Sequence, residues 1–249
     1  MSAIYILWLR QLKRYFRSRS RLIGSLGQPL LFLLALGFGF GPIFQRAGGG
    51  NYMEFLAPGI ITMSIIFTAL FSGIEIVWDR QFGFLKETLV APVSRLQIMI
   101  GRTIGGATVA IFQGCIVFLL TLLVGFRPGG IHLILAAFGF VFLVALLFTA
   151  LGTAIGSLLQ DMQGFSLIMN FIVMPIFFLS GALFPLNNLP KVLSIITRIN
   201  PLTYGVDGLR GTLGHGATQF GLVSDFLILG VITAILLAIG SYLFSKIQI

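Results

Sequence analysis

Long apolar runs separated by short polar segments set the pattern of this chain. Six runs stand out, at 22–41, 55–78, 96–125, 131–158, 164–184 and 222–245. Each is continuous, whereas the strand of a membrane barrel alternates apolar and polar positions over about ten residues. Lipid satisfies no free backbone group, so continuous runs of this kind cross a membrane as helices. About 20 apolar residues reach across the hydrocarbon layer. The pattern therefore predicts six transmembrane helices.

Three other segments change character. Within 4–19, Ile4, Leu7, Trp8, Leu12, Tyr15 and Phe16 recur at helical spacing, with Arg10, Lys13, Arg14 and Arg17 on the opposite arc. This predicts an amphipathic helix in the interface plane, its basic face on anionic lipid and its Trp8 and Tyr15 at headgroup level. Residues 79–95, DRQFGFLKETLVAPVSR, predict a second amphipathic helix, with Phe82, Leu85 and Leu89 on one face and Phe84 beside it. Pro92 ends that helix, and Ser94 with Gln97 has the capping-box spacing at the start of the third run. Residues 185–220 hold two short apolar faces, Val192/Leu193/Ile196/Ile199 and Leu202/Val206/Leu209/Leu213, broken at Asn200-Pro201. Neither is long enough to span, so this segment predicts interfacial or re-entrant helices before the last span.

Composition confirms the class. Of 249 residues, 57% are hydrophobic and 9% charged, and mean hydropathy is +1.03. A soluble domain carries about 25% charged residues. Too few charges exist here to cover a water-facing surface, so the expectation is a single all-α transmembrane domain over 1–249. A net charge of +9 in a soluble protein would suggest nucleic acid; in a membrane protein it reports topology and anionic headgroups, and no nucleic acid partner is expected. With the N-terminus inside, the inner segments hold Arg10, Lys13, Arg14, Arg17, Arg19, Arg21, Arg80, Lys86, Arg95, Arg102 and Lys246. The outer ones hold only Arg46, Arg127, Lys191, Arg198 and Arg210. The positive-inside rule then puts both termini and 79–95 in the cytoplasm. The first apolar run is too long for the core of a signal peptide and is expected to stay in the chain.

Candidate chemistry is sparse. Cys115 lies within a span and has no second cysteine to pair with; His132 and His215 are far apart. The Gly-rich segment 47–51 lacks the Lys-Ser/Thr ending of a nucleotide-binding loop. No catalytic residue, metal site or cofactor is expected, and another subunit must supply energy for any work. Glu75, near the end of the second run, either pairs with Arg102 or Arg80 or takes part in gating or proton coupling. Asp161 either caps a helix or contacts a partner. Tyr204, Asp207 and Arg210 are spaced by three, which fits a local ion pair or an external gate. The 25 phenylalanines either pack the spans or line an apolar path.

With these features in this order, the chain resembles the ABC-2 type permease family, the membrane subunits of exporters of the daunorubicin-resistance and nodulation-factor kind. The residues that carry the resemblance are FGFLKETLVAPVSR at 82–95, FLSGALFP at 178–185 and NPLTYGVDGLR at 200–210. It implies a coupling helix built from Phe82, Gly83, Phe84, Leu85, Lys86, Glu87 and Leu89, with Asp161 as a second contact. It implies two copies of the chain joined by two ATP-binding cassette ATPase subunits, which hold the ATP and Mg²⁺. The chain itself would not hydrolyse ATP. It would export an amphipathic or hydrophobic compound (drug, lipid or glycan-lipid) across a bacterial or archaeal plasma membrane. The alternative is an ion-coupled secondary transporter, which needs charged groups and broken helices near the midplane; only Glu75 and Arg102 are candidates, and both lie near a span end.

Overall fold

The computed structural model describes residues 3–46, 48, 50–90, 92–130, 133–187, 189–214 and 218–246; the side chains of Arg21, Lys86 and Leu89 are outside the description. His132 and His215 likewise lie outside the described residues. Among the described residues there are helices and no strand: α1 (Ala3–Arg17), α2 (Arg19–Arg46), α3 (Tyr52–Phe71), α4 (Ile74–Gln81), α5 (Phe84–Val90), α6 (Arg95–Val124), α7 (Ile134–Leu158), α8 (Met162–Phe178), α9 (Lys191–Ile199), α10 (Pro201–Leu213) and α11 (Leu222–Ser245). Five stretches are long and apolar enough to cross a membrane: Leu22–Arg46, Tyr52–Gln81, Arg95–Val124, Ile134–Leu158 and Leu222–Ser245. The shorter apolar helix Met162–Phe178 makes roughly six, as expected for an all-α membrane protein.

The stretch that begins with α3 is the hub, since 72% of its apolar window is buried within the chain, against 17% for Leu22–Arg46 and for Leu222–Ser245. Helices α2, α6, α7, α8 and α10 pack around α3, and Leu56, Ile60, Ile65, Ile66 and Ala69 on it are fully enclosed. Outer helices α2 and α11 turn most of their apolar surface away from the body. In lipid the attraction between helices comes from close packing, so small residues mark the tightest crossings. A Cβ on Gly152 of α7 would stand 2.4 Å from the Leu70 carbonyl oxygen, and one on Gly73 would stand 2.0 Å from the Gly152 carbonyl oxygen. The two backbones touch there, and only glycine allows it.

Several boundaries differ from the sequence reading. The second run is broken: α3 ends at Phe71 and α4 begins at Ile74. The Ser72 hydroxyl donates to the Ala69 carbonyl at 2.6 Å, and Gly73 is pressed against α7. The helix expected over 164–184 stops at Phe178; Pro175 lies within its last turn, and Gly181, at φ +77°, turns the chain. Segment 79–95 is not one helix. Its first residues finish α4, Gly83 breaks the chain at φ +80°, and α5 covers Phe84–Val90 alone. Ser94 does cap α6, accepting from the Gln97 amide at 3.3 Å.

The two short helices of segment 185–220 part company. On α10, Leu202, Val206, Leu209 and Leu213 are buried, whereas on α9, Val192 and Ile199 are 68% and 73% exposed. Asn200 makes the corner between them. Its side chain accepts from the Leu202 amide at 3.0 Å and donates to the Ile176 carbonyl at 2.6 Å, tying the pair to the end of α8.

Candidate functional site

Glu75 and Asp79 stand four residues apart on α4, on one helical face, and both are buried. Arg10 and Arg14 are spaced the same way on α1. Like charges at this spacing repel within a helix, so each pair calls for the other. The structure joins them. Arg10 donates to Asp79 at 2.9 Å, and Arg14 lies 3.7 Å from Glu75 and 4.0 Å from Asp79. The second Asp79 oxygen accepts from Arg102 of α6, whose side chain is only 4% exposed. Three helices therefore meet at one carboxylate.

Local sequence brings α1 there. Gly101 and Gly105 of α6 open a shallow trough: a Cβ at Gly101 would lie 3.1 Å from the Ile4 carbonyl oxygen, and one at Gly105 would lie 2.8 Å from Gln11 Cβ. α1 runs along this trough in the same direction as α6. Trp8 Nε1 donates to Thr108 Oγ1 at 3.1 Å, and the Tyr15 hydroxyl donates to Gln113 Oε1. This corrects two expectations. Trp8 and Tyr15 point their polar tips into protein, where they find partners, and not to headgroups. Half of the basic face, Arg10 and Arg14, meets buried acids and not lipid.

Of the partners expected for Glu75, Arg102 bonds to Asp79 while lying close enough to feel the Glu75 charge, and Arg80 donates to the carbonyls of Leu159 and Ser157 at 2.8 Å each. These are free acceptors at the C-terminus of α7, where a cation is favourable. Gln81 adds a bond to the Gln160 carbonyl at 3.2 Å. α4 is thus fastened to α1 and α6 by Asp79 and to the end of α7 by Arg80.

α5 hangs from this platform. Leu85 is 3% exposed and packs with Ile76, Ile98, Met99 and Phe244. It anchors the segment and is not part of an exposed face with Phe82, because the Gly83 turn separates the two. Phe82 and Phe84 project outward, 57% and 52% exposed, and Glu87 is exposed with them. The side chains of Lys86 and Leu89 lie outside the described residues. Between α1, the α1–α2 junction and α4–α5 runs a groove of about 1150 Å³, lined by Arg10, Lys13, Arg14, Arg17 and Arg19 and by Ile6, Leu9, Trp78, Phe82 and Phe84.

The family model described as ABC-2 type transporter matches residues 2–213, which include all of this platform. The chain belongs to the ABC-2 type transporter family. It is similar to the putative transport permease ycf38 of Cyanophora paradoxa, 29% identical over 87% of this chain and 76% of the relative. It is also similar to nodulation protein J of Rhizobium leguminosarum bv. trifolii, 31% identical over 85% and 79%, and to the inner membrane transport permease YadH of Escherichia coli (strain K12), 28% identical over 91% and 90%. An ABC-2 permease is the membrane component of an ABC transporter and is not itself the catalytic subunit.

Elsewhere in the permease, Asp161 is the N-cap of α8 and accepts from the amides of Gln163 and Gly164 at 2.8 Å each. The trio Tyr204, Asp207 and Arg210 is buried or half-buried on α10, but among the described residues no ion pair joins Asp207 to Arg210. Asp207 accepts from the amides of Gln219 and Phe220 at 2.8 and 3.0 Å, and the Tyr204 hydroxyl donates to the Arg198 carbonyl at 2.6 Å. Arg210 donates to the carbonyls of Gly181 and Phe55 at 2.9 and 3.3 Å and lies 3.9 Å from the Phe55 ring centre. Burial lowers its guanidinium to about 10, with Asp207 opposing the shift, so it remains a cation at neutral pH. The Gly181 carbonyl belongs to the irregular 179–187 segment and the Phe55 carbonyl to the first turns of α3, so Arg210 ties the two together. Arg210→Lys loses the planar fork and the ring stacking. It is expected to cost about 2 kcal/mol, read as a lowered unfolding midpoint in detergent with earlier proteolysis in 179–187.

Sequence reasoning singled out Glu75 and Arg102, named Arg80 only as a partner for Glu75, gave Arg10 and Arg14 to lipid, and passed over Asp79. The signal was present in the matched spacings, 75/79 against 10/14.

Proposed function

We propose that this ABC-2 permease forms, with a second copy of itself, the translocation path of an exporter, and that two ATP-binding cassette ATPase subunits drive it by docking on α5. The observation that carries the reading is the exposure of Phe82 at the end of α4 and of Phe84 at the start of α5, on either side of the Gly83 turn, next to a residue, Leu85, that roots α5 in the body. Exposed aromatic anchors of this kind fit a groove on a partner. A push on α5 reaches α4 across the one-glycine turn at Gly83. From α4 it passes to α1 and α6 through Asp79 and to the α7–α8 junction through Arg80. Asp161, in that junction, offers the ATPase a second and smaller contact. ATP and Mg²⁺ reside on the partner subunits.

The proposed cargo is an amphipathic or hydrophobic compound, whether drug, lipid or glycan-lipid. In support, a cavity of about 190 Å³ between α1, α2 and α3 combines Tyr15, Ser25, Gln28, Ser64 and Thr68 with Phe67 and Phe71, a mixed lining that would take one part of such a molecule, since a whole-ligand site needs about 300 Å³ or more. The charge distribution supports an orientation with both termini in the cytoplasm, and the likeness to an inner membrane permease of Escherichia coli supports the plasma membrane of a bacterium or archaeon.

The test is a Phe82→Asp/Phe84→Asp variant reconstituted with the ATPase. Each buried aromatic anchor at an interface contributes about 2 kcal/mol, so ATPase affinity is expected to fall by at least about thirtyfold. Both side chains are exposed in the permease alone, so its unfolding midpoint stays unchanged. Undiminished co-purification and permease-stimulated ATP hydrolysis would place the docking surface elsewhere.

A further inference from the structure

Asp225 sits in the first turn of α11 and is fully enclosed by the chain. Among the described residues neither of its oxygens has a hydrogen-bond donor, and no Lys or Arg pairs with it. What stands within hydrogen-bonding reach is a second carboxyl group, that of Asp207 on α10. Asp207 is itself buried, and its Oδ2 already accepts from the Gln219 and Phe220 amides. Two carboxylates facing each other have only acceptors to offer. Two like charges so close and cut off from water also repel. One proton between them removes a charge and supplies the missing donor.

The surroundings offer no other counter-charge. α7, which packs on both helices, has no titratable side chain. On α10, Tyr204 donates to the Arg198 carbonyl, and Arg210 feels the Asp207 charge while bonding to the carbonyls of Gly181 and Phe55. On α3, Glu54 is bonded to Asn51. Arg198 of α9, and Arg127 in the loop bonded to the end of α10, are exposed. On α6, Arg102 and Arg95 are bonded to Asp79 and to the Ser245 carbonyl, at the other end of α11. The N-terminus of α11 favours negative charge, but no amide there bonds to the Asp225 oxygens.

We propose that Asp207 and Asp225 form a proton-binding site, in which one shared proton fastens the start of the last span to α10. Asp207 ties the connecting loop to the same point through Gln219 and Phe220. The site lies at the end of α11 away from the platform, where Phe244 packs with Leu85, roughly 28 Å of helix apart. Loss of the proton leaves two enclosed carboxylates face to face, and the α10–α11 contact opens.

Infrared spectroscopy reads the proton directly. The full chain is studied in detergent without ATPase or cargo, so the outcome is independent of the coupling proposal. With the aspartate carboxyl carbon isotopically labelled, the wild type is expected to show the carbonyl stretch of a protonated aspartic acid at neutral pH, and Asp225→Asn to lack it. The amide keeps the shape and donates to Asp207 as the protonated acid does, so this variant folds. Stability follows the same proton. From about pH 4, where an unfolded aspartate gives up its proton, to the pH at which the band fades, the folded pair holds a proton that the unfolded chain has lost. Over that window the wild-type folding equilibrium should weaken by up to about tenfold per pH unit relative to Asp225→Asn. The wild-type band is decisive even if the variant folds poorly, because Asp79 is bonded to two arginines and Asp161 is an exposed cap. A wild-type spectrum without the labelled band at neutral pH overturns the proposal, and stabilisation by added sodium in that case assigns the site to a metal cation. A band that persists in Asp225→Asn, or the same pH dependence of stability in both proteins, overturns it too.

Discussion

Asp79→Ala is expected to lower the stability of the permease by about 3–5 kcal/mol, the range for removing one partner of a buried ion pair. The carboxylate is 3% exposed and serves Arg10 at 2.9 Å together with Arg102. Without it, Arg102 stays enclosed on α6 with no carboxylate bonded to it. A charge in that position is expensive because neither protein nor lipid replaces its water. Asp79→Asn should behave almost as badly, since it keeps the shape but not the charge. Removing the cation as well changes the sign of the problem: Asp79→Asn/Arg102→Met should recover much of the loss, because the buried charge that remains, Glu75, still has Arg14 beside it. The check is a double-mutant cycle on unfolding in detergent. Additive losses, or a single-mutant loss below about 1 kcal/mol, would mean that Asp79 does not hold the three helices together. If the coupling proposal is right, the double variant will fold and yet transmit ATPase docking poorly, because α4 is no longer tied to α6.

Gly152→Ala should be nearly as damaging although it adds one methyl group. On propensity alone, alanine in mid-helix gains up to about 1 kcal/mol over glycine. Here the added Cβ would stand 2.4 Å from the Leu70 carbonyl oxygen, and backbone cannot swing aside as a side chain can. The α3–α7 crossing must open, which costs about 3 kcal/mol or more, so sterics win over propensity. Gly39→Ala is the control. Nothing in the chain lies within 4 Å of a Cβ there, and the expected change is a gain of about 0.5–1 kcal/mol. Comparing the unfolding midpoints of the two variants tests whether the crossing sets stability. A tolerated Gly152→Ala would show that it does not.

The spans were legible in the chain because the bilayer imposes a simple demand. Each crossing needs about 20 apolar residues, and the runs at 96–125, 131–158 and 222–245 correspond closely to α6, α7 and α11. The Ser94 cap was legible for a similar reason: an N-cap works within one turn of its own helix. Breaks were less so. Nothing in 55–78 marks Ser72-Gly73 as an interruption, because the break depends on contact with Gly152 and Gly156 on a helix some eighty residues away. At the platform, the matched spacing of 75/79 and 10/14 was readable, but its use was not. The basic arc of α1 fits lipid and fits Asp79 equally well until α6 supplies the trough that turns Arg10 and Arg14 inward. Leu85 and Phe82 share an apolar character, and the Gly83 turn alone sends one inward and the other out.

The two short helices α9 and α10 separate what each level decides. α9 and α10 both have an apolar stripe at helical spacing and both are too short to span. That much follows from local periodicity, as do the helical class, the approximate number of spans and the basic excess on one side. Only the assembled bundle decides that α10 is buried against α3, α7 and α11 while α9 keeps Val192 and Ile199 exposed. The same holds for the platform at Asp79 and for Gly152 as against Gly39. Hydrophobicity is a property of each residue and is legible one position at a time. Contact between distant backbones, and the sharing of one buried carboxylate by two helices, exist only once those helices have been brought within a few ångströms of each other.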